Sequence, residues 1–248
     1  MFARFVFSFI VLLTSATPIL EAKSYLGSKD LANKTYDHLN IIGSTKLTNV
    51  AVTNLSITGP LVFRDLTVQE KAHCTGNVSN KKGFGKFNKL SVVGATSLSN
   101  IKCKDTLSLI GTTVLTEATI EGNASIVGST TLKHTNICGT TTITGPCNAF
   151  YSSFTSLDVT APKVMLTSCT ANTVTIKKNT STNYHHSSLT SWITSWFPQR
   201  APEEQTLVLD GETTINGTIT FESGKGILIV NGDKVNIIGD VVGCVKRQ

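Results

Sequence analysis

The sequence predicts an all-β protein, a single-stranded right-handed parallel β-helix with coils of about 17 residues and one long insertion. Three observations carry this prediction. Glycine or a stand-in recurs at Gly43, Gly59, Gly76, Gly94, Gly111, Gly128, Gly145, Ala161 and Lys178, at intervals of 16 to 18 residues. A near-fixed period just under 20 residues marks a solenoid. Apolar residues also stand at fixed offsets from each anchor, as do Ile41, Ile57, Val92, Leu109, Ile126 and Ile143 two residues before it. Finally, Thr, Ser, Gly, Val and Ile are abundant while aromatic residues make up only 7%. That mix suits short strands and tight corners rather than a helical bundle.

Along the chain, residues 1–22 read as a secretory signal peptide. Arg4 precedes an apolar run from Phe5 to Leu13, then small and polar residues, with cleavage expected after Ala16 or Ala22. The run is too short to span a bilayer, and no later stretch reaches 18 consecutive apolar residues. The mature chain is therefore expected outside the cytoplasm (periplasmic, cell-surface or secreted) and without a transmembrane segment. Residues 23–38 form an N-terminal cap, and 39–178 form the regular coils.

Within a coil the inward positions alternate with a period of two, the signature of short strands. Four residues before the anchor stand Leu39, Leu55, Leu90, Leu107 and Leu157. Four after it stand Leu47, Phe63, Leu98, Leu115 and Leu132, with Asn80 the one clear break. Nine after it stand Val52, Val68, Cys103, Ile120, Ile137 and Phe154. The inward spacings match neither a 3.6-residue helical period nor the six-residue period of a left-handed β-helix. Thr45, Thr96, Thr113 and Thr130 recur two residues after the anchor. Because that position alternates with the inward one at +4, the threonines point inside and do not form an ice-binding face. Residues 77–86 are polar and basic and are expected to loop out of their coil.

Residues 179–206 form the long insertion, with a short amphipathic helix. Leu189, Trp192, Ile193, Trp196 and Phe197 fall at i, i+3, i+4, i+7 and i+8, a one-sided apolar stripe. Ser187 and Ser188 cap its start and Pro198 helps end it. The stripe either folds back over the solenoid or offers Trp192 and Trp196 to a protein partner or a membrane interface. The repeat returns over 207–248 in longer, less regular terminal coils.

With coils of this length, a repeated apolar-x-apolar-x-Gly core and the run TIEGNASIVGSTTL over 119–132, the stretch from Leu39 to Lys178 resembles the bactofilins and related polymer-forming bacterial β-helix proteins. The resemblance implies a roughly triangular helix that associates end to end or side by side, with neither catalysis nor a cofactor. The export signal, the six cysteines and the Trp-bearing insertion depart from that family.

Candidate chemistry is thin. The acidic residues of the regular coils, Asp65, Glu70, Asp105, Glu117, Glu121 and Asp158, show no close pair of the kind glycoside hydrolysis needs. His185 and His186 are adjacent and point apart on any regular element, so no metal site is assigned. Cys74 and Cys103 occupy inward positions, and Cys138, Cys147 and Cys169, at +10, +2 and +8 of successive coils, share no column. Disulfides in an exported chain are left open. No C-x-x-C exists, no catalytic residue is assigned and no cofactor is expected. Sequons stand at Asn33, Asn54, Asn77, Asn123, Asn179 and Asn216. Net charge is +6, without a Lys/Arg cluster or aromatic-basic interleaving, so nucleic acid is not expected as a partner.

One residue before the anchors, Val93, Ile110 and Val127 face outward by alternation, a weakly apolar strip suited to packing against another copy. The leading reading is an exported, non-enzymatic structural or adhesive β-helix acting by self-association or surface presentation. The alternatives are a carbohydrate-binding or polysaccharide-degrading β-helix, and a secreted effector or adhesin head that binds a host protein.

Overall fold

The computed structural model describes residues 21–80, 82–178 and 204–247. Every regular element among them is a β-strand, and every strand pairing is parallel. The strands stack as a right-handed parallel solenoid of about 12 turns, roughly 55 Å long at about 4.8 Å per turn. Register follows the repeat. Leu39 pairs with Leu55, Leu55 with Ala72, Ala72 with Leu90, and Leu90 with Leu107. The same ladder continues through Ala124, Thr141, Leu157 and Val174. Residues 23–38 carry pairing of the same kind, since Lys23–Leu26 lies against Leu39–Ile42.

Each coil has three sides, seen clearly over residues 39–54. Side one is the run Leu39–Ile42, which ends at the glycine corner, Gly43. Side two is Thr45–Thr48, ending at Asn49. Side three is Val50–Val52, which ends at a bulged corner where the ladder register shifts between Val52 and Asn54. Alternation within the sides sends Leu39, Ile41, Leu47, Val50 and Val52 inward, each at most 2% exposed. Equivalent positions stack coil upon coil into one continuous apolar core. Phe63 and Phe87 meet edge to face inside it, ring centroids 5.8 Å apart, a favoured aromatic geometry.

The threonine column points inward, as expected: Thr45, Thr96, Thr113 and Thr130 are at most 2% exposed. Three of these hydroxyls donate to the glycine-corner carbonyls of Gly43, Gly94 and Gly128. That local bond lets a polar side chain sit inside without a large desolvation penalty. Asn80, the break in the +4 column, is also buried. Its amide donates to the Ser99 carbonyl and accepts from the Ser99 amide, both at 2.7 Å, replacing a peptide unit of the ladder.

The predicted excursion over 77–86 is narrower than its composition suggests. Val78–Ser79 stays in the ladder between Leu61–Val62 and Thr96–Ser97, and Gly85–Lys86 pairs with Leu66–Thr67. Polar side chains are tolerated there because alternate positions face water. After residue 178 the ladder resumes at Thr206, which pairs with Lys163, and Val174 pairs with Ile219. Residues 1–20 and 179–203 lie outside the described residues, so the leader and the amphipathic helix with Trp192, Ile193, Trp196 and Phe197 are not described.

Candidate functional site

The outward residues of side one form a long column of parallel neighbours. Leu26, Ile42, Thr58, Thr75, Val93, Ile110, Val127, Thr144 and Thr160 pair in that order, one per coil. Val93, Ile110 and Val127 are 40%, 48% and 43% exposed, which is high for branched side chains on a pleated surface. The three residues assigned from sequence are thus brought together on successive rungs.

Charge is segregated around them. The segments 90–100, 106–116, 123–132 and 139–152 cover sides one and two of four successive coils, apart from Lys133 at the end of one side two, and contain no Lys, Arg, Asp, Glu or His. The charged residues of these coils fall almost entirely elsewhere: Lys102, Lys104, Asp105 and Glu121 on side three and its bulged corner, and Glu117 and His134 at the corner after side two; Lys133, the last residue of side two in its coil, is the exception. A charge-depleted surface with exposed branched side chains shares with interface cores their depletion of charge.

Side three is the opposite case. Its acidic residues are ion-paired or hydrogen-bonded singly. Asp105 meets Lys89 at 3.3 Å and Glu121 meets Lys102 at 2.6 Å; Asp158 and Lys177, which meet at 2.8 Å, lie instead on side one, in the coils beyond Thr144. Glu70 accepts from the Asn54 amide at 2.9 Å. The hydrogen bond to Asp158 raises the Lys177 pKa. Among the described residues no group of three or more His, Cys, Asp and Glu comes together.

Lysines do come together on side three, contrary to the expectation of no cluster. Lys86 lies directly beside Lys102, and Lys71 beside Lys89. The reason is the fold itself: residues one repeat apart become neighbours, so lysines scattered in sequence gather in space. The signal was present as spacings of 16 and 18 residues, the same range as the glycine anchors.

All six cysteines are unpaired, and Cys74, Cys103, Cys147 and Cys169 are buried. Burial pushes the Cys74 and Cys147 thiols up to about 12 and Cys103 up to about 11. These are protonated, unreactive side chains at neutral pH that fill the core as small hydrophobes. Cys138 is exposed.

A second set of inward residues was not foreseen. Thr135, Ser152, Cys169 and Thr213 line the start of side three, all buried. Ser152 Oγ donates to the Phe150 carbonyl at 2.9 Å and accepts from the Thr135 amide at 3.1 Å. Thr213 Oγ1 donates to Asp210 at 2.6 Å. These groups satisfy peptide carbonyls turned inward by the preceding corner. A Ser or Thr just after that corner is the local signal.

No helix among the described residues is long and apolar enough to cross a membrane. The chain matches no protein-family model, and no curated protein or solved structure gives a significant match.

Proposed function

We propose that the protein is an exported, non-enzymatic structural or adhesive β-solenoid that works by self-association, in the manner of the polymer-forming bactofilin-like proteins. The observation that carries this reading is the in-register, uncharged column centred on Val93, Ile110 and Val127. Side one carries no Lys, Arg, Asp or Glu on its outward positions from Asn40 to Thr144. Single exposed apolar residues are ordinary on protein surfaces. A run of them on successive rungs, framed by Ser and Thr, is what a second flat β-surface can pack against with little desolvation cost.

Site-directed crosslinking tests this reading. Ile110→Cys in a Cys138→Ser background, treated with a short bis-maleimide, is expected to yield a covalent dimer or ladder. Lys104→Cys in the same background, on side three, is expected to remain monomeric. Equal crosslinking from both positions, or from neither, contradicts the assignment.

A further inference from the structure

We propose that the bulged corner of side three, where Lys86, Lys102 and Lys104 line a shallow open groove, binds a linear carboxylated polysaccharide. The groove is completed by Gln69, Asn88 and Glu121. This site is separate from the side-one strip and does not rest on self-association.

Like charges on directly opposed neighbours of a β-sheet destabilise it, yet this surface holds two such pairs. Lys86 and Lys102 are register partners on adjacent strands, as are Lys71 and Lys89. Rungs lie about 4.8 Å apart, so each pair concentrates positive potential. Part of it is neutralised, because Lys102 is held by Glu121 and Lys89 by Asp105. The rest is not. Lys71 and Lys104 meet no carboxylate within ion-pair distance among the described residues, and Lys86 lies over the half-exposed Phe84 ring, 5.3 Å from its centroid. The surface therefore keeps an uncompensated positive strip whose intramolecular effect is unfavourable. An external anion removes that penalty.

The register shifts at Val68/Lys71 and Phe87/Lys89 create the groove, because a bulge re-aims side chains and opens the pleat. Gln69 and Asn88 supply amide donors and acceptors beside the lysines, the groups that hydroxyl-rich sugars use. Lysines spaced at rung intervals suit single carboxylates borne by successive sugars. A nucleic acid fits less well. Its strand carries a charge every 3.4 Å and is bound on stacking aromatic platforms, and the groove contains no arginine fork for phosphate.

Affinity electrophoresis through native gels containing polygalacturonate tests the proposal, with gels containing neutral dextran as reference. The wild-type protein is expected to be retarded by the polyuronate alone, and to lose the retardation near 1 M salt, where the Debye length is about 3 Å. The triple variant K86Q/K102Q/K104Q is expected to bind ~10-fold or more weakly, from three surface charge contacts. A control with the same charge loss elsewhere, K163Q/K225Q/K246Q, is expected to bind within ~3-fold of wild type. Both variants face water at the altered positions, and neither is expected to melt appreciably below the wild type, K86Q/K102Q/K104Q because it relieves the Lys86–Lys102 repulsion while losing one exposed ion pair. Equal weakening in the two variants, no retardation of the wild type, or tighter binding of oligo-dT than of polyuronate at the same salt overturns the proposal.

Discussion

The glycine corner and the corner after side two bend the same chain once per coil, and they do so under different constraints. At the first, Gly43 to Gly145 hold φ between +124° and +146°. A Cβ at Gly111 or Gly128 would run into the carbonyl of the glycine one coil below. Conformation and stacking both demand glycine there. At the second corner φ lies between +49° and +56°, and the residues are Asn33, Asn49, Asp65, Asn100, Glu117, His134, Tyr151 and Ser168. This is the ordinary left-handed helical well, which unbranched L-residues enter at a cost of roughly 1–2 kcal/mol and Asn or Asp most readily. Side chains there project outward and can stack. Asn49 donates to Asn33 at 2.8 Å, and the His134 and Tyr151 rings lie parallel with centroids 5.1 Å apart. One corner is specified by what cannot fit, the other by what is merely tolerated.

That difference explains what could be read from sequence. From Gly43 to Gly145 the exclusion leaves one residue type in every coil, so the glycine column announces the repeat. A tolerance leaves six residue types over eight corners, and His134 and Glu117 read as unrelated surface groups although they occupy equivalent positions. The inward columns were legible for the same reason as the glycines, since the apolar lumen excludes charge. The lysine groove was not, because it depends on neighbours one repeat apart rather than on any local motif. Val93, Ile110 and Val127 were legible by alternation alone. What packs on them is written on another molecule.

The largest effect tests the lumen that both corners serve. Leu109→Asp or Ile126→Asp buries an unpaired carboxylate and is expected to cost more than about 4 kcal/mol in denaturant unfolding. Outward Ser108→Asp or Ser125→Asp is expected to cost less than about 0.5 kcal/mol. Comparable losses from both sets would mean the strand faces are misassigned.

The corners themselves come next. Gly111→Ala adds both backbone strain and a clash with the coil below, for an expected loss of about 2–4 kcal/mol. Glu117→Asn places a residue suited to the left-handed well and is expected to leave the melting temperature unchanged or raise it slightly, by at most about 1 kcal/mol. A mild Gly111→Ala would erase the distinction between the two corners.

A smaller effect comes from the buried thiols. In the unfolded chain a thiol titrates near 8.5, whereas burial holds Cys74 and Cys147 at about 12. Above pH ~8.5 the unfolded state has lost protons that the folded state keeps, so stability falls as pH rises, by at most about 1.4 kcal/mol per pH unit per thiol. The Cys74→Ala variant is expected to start less stable at pH 7 and to lose less between pH 8 and pH 10 than the wild type. Identical slopes for the two would show that the thiol is not held protonated. At pH 8, a maleimide is expected to label Cys138 in the folded protein and Cys74, Cys103, Cys147 and Cys169 only after unfolding, as read by mass spectrometry.

The claim that side one is an association surface is tested most directly by light scattering coupled to size exclusion, on wild type and on V93K/I110K/V127K. The wild-type protein is expected to elute as a dimer or larger assembly. The triple variant is expected to elute as a monomer, at no more than the 26.5 kDa of the full chain, with a melting temperature close to that of the dissociated wild-type chain, because all three side chains already face water. A wild-type monomer at every concentration, or an assembly that survives the three lysines unchanged, would contradict it.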